Sequence, residues 1–406
     1  MNNLFKYILP VLCACLTALG CGSSSSSTVP APGSNTNVLN GVTLTGSQQG
    51  KSAGLADVDG DGTPDKVVGA PYTTTTTSTN TGAVLVYKGD STGGFSSTPS
   101  SLLTGDDVFG ASFVKLEKSS SDTAERFAVA ALYGDGDDVS LSGSVSIYQG
   151  GSGGAQLIKK LAGEGPLDRF GFSLAAGDLD GDGYNDLIVG AQYNTPSSSL
   201  YQQGAVYVYF GPEFTRSIPL RATSANKGLG WAVATGDINS DGKADLLIAA
   251  SKKVLVYHGG TSFDSGSSTP VSLDSPDATI KNSASDFGKV MAVIGDVNGD
   301  GIIEIAIGAP KAKVNSNRDT GAVYIVSGTV AGTVDLEATT PPADLIVQIN
   351  GVALFDRFRS SIVPVGDVDA DGKADFAVSA PLADVNTNDL SGKVYLFKGM
   401  DISAST

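Results

Sequence analysis

Cysteine and histidine are almost missing from this chain of 406 residues. The three cysteines, Cys13, Cys15 and Cys21, all lie at its beginning, and the single histidine is His258. The remaining residues therefore cannot form a disulfide, nor a zinc site built from thiolates and imidazoles. A large core or some other crosslink must stabilise the fold.

Positive charge is also scarce, because 26 lysines and arginines stand against 42 aspartates and glutamates and leave a formal net charge of −16. An acidic surface repels phosphate backbones and anionic lipids, so we expect no nucleic-acid partner. A sustained 3.6-residue apolar period is lacking too, whereas glycine is abundant, with 52 residues. This composition predicts an all-β protein of short strands and many turns.

An apolar run, "YILPVLCACLTALG", follows Lys6 and is too short to span a membrane comfortably. It leads into Cys21 and then into a polar stretch, "GSSSSSTVPAPGSNTN". The pattern resembles the lipobox of bacterial lipoproteins, which implies cleavage before Cys21, acylation of its thiol and, with Gly22 next, an outer-membrane location. "LCAC", ending at Cys15, and an ordinary cleaved signal peptide remain alternatives. The predicted organisation is a signal peptide over 1–20, a tether over 21–37 and a body over 38–406.

The body is repetitive. A glycine, usually after an aromatic residue, recurs in steps of 60, 61, 59, 58 and 71 residues, and the last copy has arginine instead: Gly50, Gly110, Gly171, Gly230, Gly288 and Arg359. A small-residue run such as "VVGAP" and a β-branched run such as "GAVLVY" follow in each copy. Six copies of about four strands predict a β-propeller, with six blades favoured over seven. The last copy is one strand short, so "NGVTLTG" at 40–46 is expected to complete its blade.

Five copies contain an acidic loop: "DVDGDGTPD", "DLDGDGYND", "DINSDGKAD", "DVNGDGIIE" and "DVDADGKAD". Positions 1, 3, 5 and 9 are always Asp, Asn or Glu, and position 6 is always glycine, which permits the backbone to wrap around a central point. Four side chains and the position-7 carbonyl give an all-oxygen ligand set that suits Ca²⁺, with about five sites in the chain. The predicted ligands are Asp57, Asp59, Asp61, Thr63, Asp65, Asp178, Asp180, Asp182, Tyr184, Asp186, Asp237, Asn239, Asp241, Lys243, Asp245, Asp296, Asn298, Asp300, Ile302, Glu304, Asp367, Asp369, Asp371, Lys373 and Asp375.

Two alternatives to this calcium loop were weighed. An EF-hand needs an acid at position 12, but that position is apolar in all five loops: Val68, Val189, Ile248, Ile307 and Val378. Solvated acidic turns would suit one loop, but not five with the same spacing and glycine. The second copy has no such loop, because Glu117, Asp122 and Glu125 fall off the spacing, and no metal is predicted there.

The segment "DRFGFSLAAGDLDGDGYNDLIVGAQ" at 168–192 carries the glycine doublet, the acidic loop and the small-residue run in order. It resembles the FG-GAP repeat of the integrin α-subunit propeller, and the resemblance covers nearly all of 38–406. It implies a calcium-binding propeller in which the ninth loop residue closes the ligand sphere. Two departures stand out: integrin propellers have seven such repeats, and the last copy here has Arg359 at its glycine position.

The loops between the second and third strands are long and divergent, and the strand order places them opposite the acidic loops. This arrangement predicts a recognition surface there. Tyr72, Tyr133, Tyr193 and Tyr201 lie on or beside them. The expected function is a calcium-stabilised, lipid-anchored module for recognition or adhesion that binds a protein or glycan as a monomer. The alternatives are a purely structural envelope protein and a polysaccharide-active enzyme. The enzyme would use loop carboxylates such as Asp106, Asp107, Asp135, Asp137, Asp138 and Asp168, although no catalytic motif is present.

Overall fold

The computed structural model describes residues 51–73, 81–105, 107–116, 124–135, 139, 141–195, 203–221, 228–260, 263, 273–284, 286–312, 321–351, 361–380 and 393–399, and the strands at 37–39 and 42–44. All regular elements in these ranges are β-strands. Within them, no helix has the length and apolar character needed to cross a membrane. Contacts divide the chain into two compact units, 1–176 with 189–204, and 177–188 with 205–406.

The first two sheets each have four strands. The first contains β3 (Ala53–Ala56), β4 (Asp65–Ala70), β5 (Ala83–Tyr87) and β6 (Ser101–Thr104) in sequential antiparallel order. The second contains β7 (Phe109–Leu116), β8 (Arg126–Ala131), β9 (Ser144–Gln149) and β10 (Gln156–Ala162).

The third sheet has the order β11 (Phe170–Gly177), β12 (Asp186–Ala191), β13 (Ala205–Tyr209) and β14 (Ser217–Arg221). The fourth contains β15 (Val233–Gly236), β16 (Asp245–Ala250), β17 (Lys253–Tyr257) and β18 (Ala278–Lys281), with a fifth strand, β22 (Gly332–Asp335), paired in parallel with β18.

The fifth sheet contains β19 (Val290–Gly295), β20 (Glu304–Ala309), β21 (Ala322–Ser327) and β23 (Leu345–Asn350). The sixth contains three strands, β24 (Ile362–Gly366), β25 (Asp375–Ala380) and β26 (Lys393–Phe397). The chain is thus all-β, and its six successive sheets are the blades of a six-bladed β-propeller, as the repeat predicted.

The prediction that 40–46 supplies the fourth strand of the sixth sheet is wrong. Val42–Leu44 forms β2 and pairs with β1, Asn37–Leu39, in a separate two-stranded sheet. Asn40 and Gly41 separate the two strands, and this dipeptide strongly favours a tight hairpin. The local turn signal therefore decided the pairing.

The core follows the strand order within each sheet. The second strand is the most buried one, and β12, β16, β20 and β25 are buried along their whole length. Their small and β-branched side chains leave room for packing on both faces. The aromatic residues of the repeated doublet add bulk to this core, since Phe109, Phe170 and Phe287 are at most 2% exposed.

The glycine of the doublet is required by a close backbone approach. Gly110 has a φ of +90°, and a Cβ there would lie 2.5 Å from the carbonyl oxygen of Ala83. Neither the left-handed conformation nor the short contact tolerates a side chain. The doublet of the second sheet therefore packs directly against the backbone of the first sheet.

Candidate calcium loops

The five acidic loops connect the first and second strands of their sheets, as predicted. In each loop the ninth residue is also the first residue of the buried second strand, and its side chain is at most 1% exposed: Asp65, Asp186, Asp245, Glu304 and Asp375. The loop is thus fixed at this end by the core, while its middle positions face solvent. Such a buried carboxylate needs hydrogen-bond donors or a cation.

The first carboxylate organises the turn. In the third-sheet loop, Asp178 Oδ2 accepts the backbone N–H of Gly183 at 2.8 Å, and Asp178 Oδ1 accepts that of Gly181 at 2.7 Å. The same bond from position 6 to position 1 occurs in all five loops. Gly183 has a φ of +88° and open space where a Cβ would lie, so glycine is needed there for its conformation and not for lack of room.

The ninth carboxylate joins the loop to the end of the third strand. Asp186 Oδ2 accepts the N–H of Leu179 at 2.9 Å, and Asp186 Oδ1 accepts the N–H of Gly211 at 3.0 Å. The same two contacts occur at Asp65, Asp245 and Asp375. Asp245 has two further contacts, because its Oδ2 also accepts the N–H of Asn239 at 3.3 Å and His258 Nδ1 lies 3.3 Å from its Oδ1.

Glu304 departs from this pattern because its side chain is one methylene longer. Its Oε2 accepts the N–H of Val297 at 2.9 Å, whereas Gly328 donates to the carbonyl of Ile303 at 2.9 Å. Glu304 Oε1 is buried and has no hydrogen-bond partner among the described residues. An orphaned carboxylate oxygen in an acidic loop is the kind of atom that a bound cation would satisfy.

Acidic side-chain oxygens converge in three of the five loops. Within three loops the acidic side chains each bring one oxygen within 4.8 Å of the others: Asp57 with Asp59 and Asp61, Asp178 with Asp180 and Asp186, and Asp367 with Asp369 and Asp371. The loops of the fourth and fifth sheets have asparagine at position 3. Hydrogen bonds join Asn239 Nδ2 to Asp241 and Asn298 Nδ2 to Asp300 there.

The electrostatics of these loops favour a cation. Burial, with a smaller contribution from the nearby carboxylates of Asp180 and Asp182, raises the pKa of Asp186 to about 7. Burial likewise raises the pKa of Glu304 to about 7. Without a cation, ionised carboxylates at this spacing repel one another, as the sequence predicted. The all-oxygen donor set, the orphaned Glu304 oxygen and the raised pKa values fit a hard divalent ion such as Ca²⁺.

Basic side chains contact some of these loops. Lys88 forms ion pairs with Asp59 and Asp61, the latter at 3.0 Å, and Lys398 Nζ lies 2.9 Å from Asp369 Oδ2. Hydrogen bonding to the lysine lowers the pKa of Asp61 and of Asp369. The sequence analysis did not find these lysines, because they follow the third strand and lie 27 to 29 residues from their partners.

Backbone contacts join the loops of adjacent sheets in two places. Ala244 in the fourth-sheet loop donates to the carbonyl of Asp178 at 2.8 Å, and Ala374 in the sixth-sheet loop donates to that of Asp296 at 2.7 Å. In these two places the first residue of a loop is part of the packing between sheets.

The second sheet uses an ion pair at the corresponding place. Glu125 precedes β8, and its Oε1 lies 2.5 Å from Lys115 Nζ, while its Oε2 accepts the N–H of Asp57 at 2.8 Å. The prediction of no metal loop in this copy stays a prediction, since 117–123 lie outside the described residues. The role of Glu125 was missed because Lys115, its partner, belongs to the neighbouring strand β7.

The predicted recognition residues lie at the other ends of the strands. Tyr72 is 42% exposed, and Tyr201 lies outside the described residues. Tyr133 and Tyr193 are half-buried on either side of Arg169, whose guanidinium carbon is 5.4 Å and 4.5 Å from their ring centroids. Arg169 also donates to the Tyr133 hydroxyl at 2.7 Å. Most residues of the long loops between second and third strands lie outside the described ranges.

The carboxylates considered for catalysis are only partly described. Asp106, Asp137 and Asp138 lie outside the described residues. Asp168 is 2% exposed, and its Oδ2 accepts the N–H of Gly165 at 2.8 Å and of Asn194 Nδ2 at 2.7 Å. Burial raises the pKa of Asp168. These contacts give Asp168 a structural place in its loop.

Comparison with protein families agrees with the repeat. Five segments match the family model described as FG-GAP repeat: residues 50–87, 170–209, 229–257, 287–326 and 358–397. The chain contains five FG-GAP repeats. The five matched FG-GAP segments are those that contain an acidic loop, and the second sheet lies outside them.

Integrin α chains are among the relatives of these FG-GAP repeats. The chain is similar to integrin alpha-V of Gallus gallus, with 36% identity over 185 residues, or 45% of this chain and 16% of that protein. It is similar to integrin alpha pat-2 of Caenorhabditis elegans, with 28% identity over 229 residues, or 52% of this chain and 18% of that protein. The chain thus spans less than a fifth of the length of either relative.

A solved structure also resembles this chain. The exotype rhamnogalacturonan lyase YesX aligns with a TM-score of 0.44 and 12% sequence identity, over 91% of this chain and 59% of that one.

Proposed function

We propose that this protein is a calcium-stabilised recognition or adhesion module that is held in the cell envelope by a lipid on Cys21. The calcium part is supported by five FG-GAP loops with buried ninth carboxylates, in three of which the acidic oxygens converge. The recognition part is supported by the surface at the other ends of the strands.

Each ion would be held by the side chains at loop positions 1, 3, 5 and 9 and by the position-7 carbonyl. It would neutralise carboxylates that otherwise repel and would join each loop to the core strand that begins at position 9. Each of five Ca²⁺ ions adds two positive charges, which would change the net charge from −16 to −6. The ions thus take the place of the disulfides that the body lacks.

The recognition surface is defined by Tyr133, Leu141, Leu167, Arg169 and Tyr193. Leu141 and Leu167 are 42% and 50% exposed, and the N–H of Leu167 donates to the carbonyl of Leu141 at 2.9 Å. Leu141, Leu167 and Arg169 all have positive φ, between +55° and +63°, which is a strained conformation for side chains of this size. Exposed apolar residues held in strain beside two tyrosines favour a binding role.

Melting in calcium and in chelator tests the structural role of the ions. We expect the melting temperature to fall by many degrees in excess chelator and to recover when Ca²⁺ is restored, because the loops then lose their counter-ions. Asp178→Asn should reduce the calcium-dependent gain, whereas Asp90→Asn, an exposed acid outside the loops, should leave it intact. A melting temperature that is equal in calcium and chelator contradicts the proposal.

Retention on immobilised polysaccharides and envelope proteins tests the recognition role. The wild type should be retained without turnover, and Leu167→Ser or Tyr193→Ala should abolish retention. Leu396→Ser is the matched control, because Leu396 is 46% exposed on β26 and belongs to the other compact unit. Release of soluble sugar during the experiment would favour the enzyme alternative, and equal retention of all variants would place the binding surface elsewhere.

The lipid anchor rests on sequence alone, since 1–36 lie outside the described residues. Metabolic labelling with a fatty acid should mark the wild type and Cys15→Ser but not Cys21→Ser. Labelling of Cys21→Ser would move the anchor to another cysteine. Absence of label in all three would favour an ordinary cleaved signal peptide.

A further inference from the structure

In the five sheets with an acidic loop, the residue at the end of the third strand, or directly after it, is held close to that loop. It precedes the glycine whose backbone N–H is fixed at the loop, as when Gly89 donates to Asp65 at 2.9 Å and Gly399 donates to Asp375 at 2.6 Å. We call this residue the anchor position. In the five sheets with a loop it is Lys88, Phe210, His258, Ser327 and Lys398.

Lysine at the anchor position places an ammonium group on the loop oxygens. Lys88 pairs with the carboxylates of Asp59 and Asp61, at loop positions 3 and 5. Lys398 pairs with that of Asp369, at loop position 3, at 2.9 Å. These are side chains that the calcium loop needs as ligands, so an incoming cation and the ammonium compete for the same oxygens.

The other three sheets with a loop have no lysine at the anchor position. His258 lies 3.3 Å from Asp245 through Nδ1, and Ser327 hydrogen-bonds to Thr329 at 2.9 Å. In the third sheet the anchor is Phe210, and the nearest cation is Arg216, 3.7 Å from Asp180. Among the described residues, the acids of the fourth-sheet and fifth-sheet loops form no ion pair with lysine or arginine: Asp237, Asp241, Asp245, Asp296, Asp300 and Glu304.

We propose that four of the five loops fall into two classes of calcium affinity, set by the anchor position. Lys88 and Lys398 act as built-in counter-ions that keep the first-sheet and sixth-sheet loops folded at low calcium and weaken their affinity for Ca²⁺. The fourth-sheet and fifth-sheet loops, without such a lysine, bind Ca²⁺ first. This inference rests on the proposed calcium binding and assigns these two lysines a regulatory place within it.

Titration of Ca²⁺ into the chelator-stripped full-length protein tests the two classes, with isothermal titration calorimetry as the readout. Lys88→Met and Lys398→Met keep the length of the side chain and remove its charge. Each variant should lower the dissociation constant of one Ca²⁺ ion by about three- to tenfold, as the loss of one or two exposed ion pairs implies. Lys88→Arg should keep the wild-type isotherm.

Lys281→Met is the matched control. Lys281 is 48% exposed, close to the 49% of Lys88, and its ammonium lies 3.0 Å from Asp335, outside the loops. This variant should lose an exposed ion pair without any change in calcium affinity. A shift as large as that of Lys88→Met would mean that overall charge, not the anchor position, sets the affinity.

Melting temperature gives a second readout that a merely structural lysine would not reproduce. In chelator, Lys88→Met and Lys398→Met should melt below the wild type, because their loops lose a counter-ion. In saturating calcium they should melt at or above it, because no ammonium competes. A deficit of equal size in both conditions overturns the inference.

The outcomes separate the two levels of the proposal. If the wild type binds calcium and both lysine variants keep its isotherm, the calcium loops stand and the anchor inference fails. If the wild type binds no calcium, both fail. If the wild type binds two of its Ca²⁺ ions with lower affinity and the lysine variants raise that affinity, the calcium proposal and the anchor inference are both supported.

Discussion

At the scale of single residues, one backbone angle and one buried carboxylate define each loop. Gly183 supplies the left-handed turn, and its N–H reaches Asp178 only in that conformation. Asp186 fixes the other end through two backbone donors. Sequence reasoning predicted both, because glycine at position 6 and an acid at position 9 follow directly from ligand spacing.

Replacing the position-6 glycine should be costly although nothing crowds it. Gly183→Ala puts a β-carbon on a residue with a φ of +88°, which should destabilise the protein by about 1–2 kcal/mol. Gly151→Ala is the control, because Gly151 is also uncrowded and is not among the glycines with positive φ. Urea unfolding in calcium measures the difference. Equal stability of the two variants would show that the backbone angle is not what requires glycine.

At the scale of elements, the strand pairing departs from the simple repeat. The step of 71 residues between Gly288 and Arg359 indicated an insertion, but not its destination. The insertion contains β22, which pairs in parallel with β18 of the preceding sheet and buries Val334 in its core. Lys281 and Asp335 form an ion pair beside it. A parallel pairing with a distant strand leaves no local signal.

The strand β22 should contribute to stability through its buried side chain. Val334→Ala leaves a cavity beneath β22 and should lower the free energy of unfolding by about 1–3 kcal/mol. Thr333→Ala, at the exposed neighbouring position, should stay within about 0.5 kcal/mol of the wild type. Urea denaturation of the two variants measures their free energies of unfolding. If Val334→Ala changed this free energy as little as Thr333→Ala, the burial of Val334 would not contribute to stability.

At the scale of the whole molecule, charge and calcium are linked. The chain has a net charge of −16, and its loops concentrate carboxylates whose pKa values burial raises, to about 7 at Asp186 and Glu304. In the unfolded chain such groups titrate near 4. Between about pH 4 and 7 the metal-free folded state therefore holds protons that the unfolded state has lost.

The sign of the pH dependence follows from this difference in bound protons. In chelator, the free energy of unfolding should fall as pH rises from about 5 to 8, because the folded state must ionise buried carboxylates. In saturating calcium the decline should vanish or reverse, since the ion stabilises the ionised form. Thermal melts at about pH 5 and about pH 8, with and without calcium, measure this pH dependence of stability. A rise in stability with pH in chelator would contradict the raised pKa values.

The sequence by itself determined the all-β class, the six repeats and the five oxygen-rich loops. These properties depend on spacing within one unit: glycine where the backbone turns left-handed, and an acid where a strand begins. Only the tertiary structure decided the destination of β22, the ion pair of Lys115 and Glu125, and the contacts of the lysines at the anchor positions. Each of these depends on contacts between segments whose sequence distance carries no periodic signal, so the chain must fold before they exist.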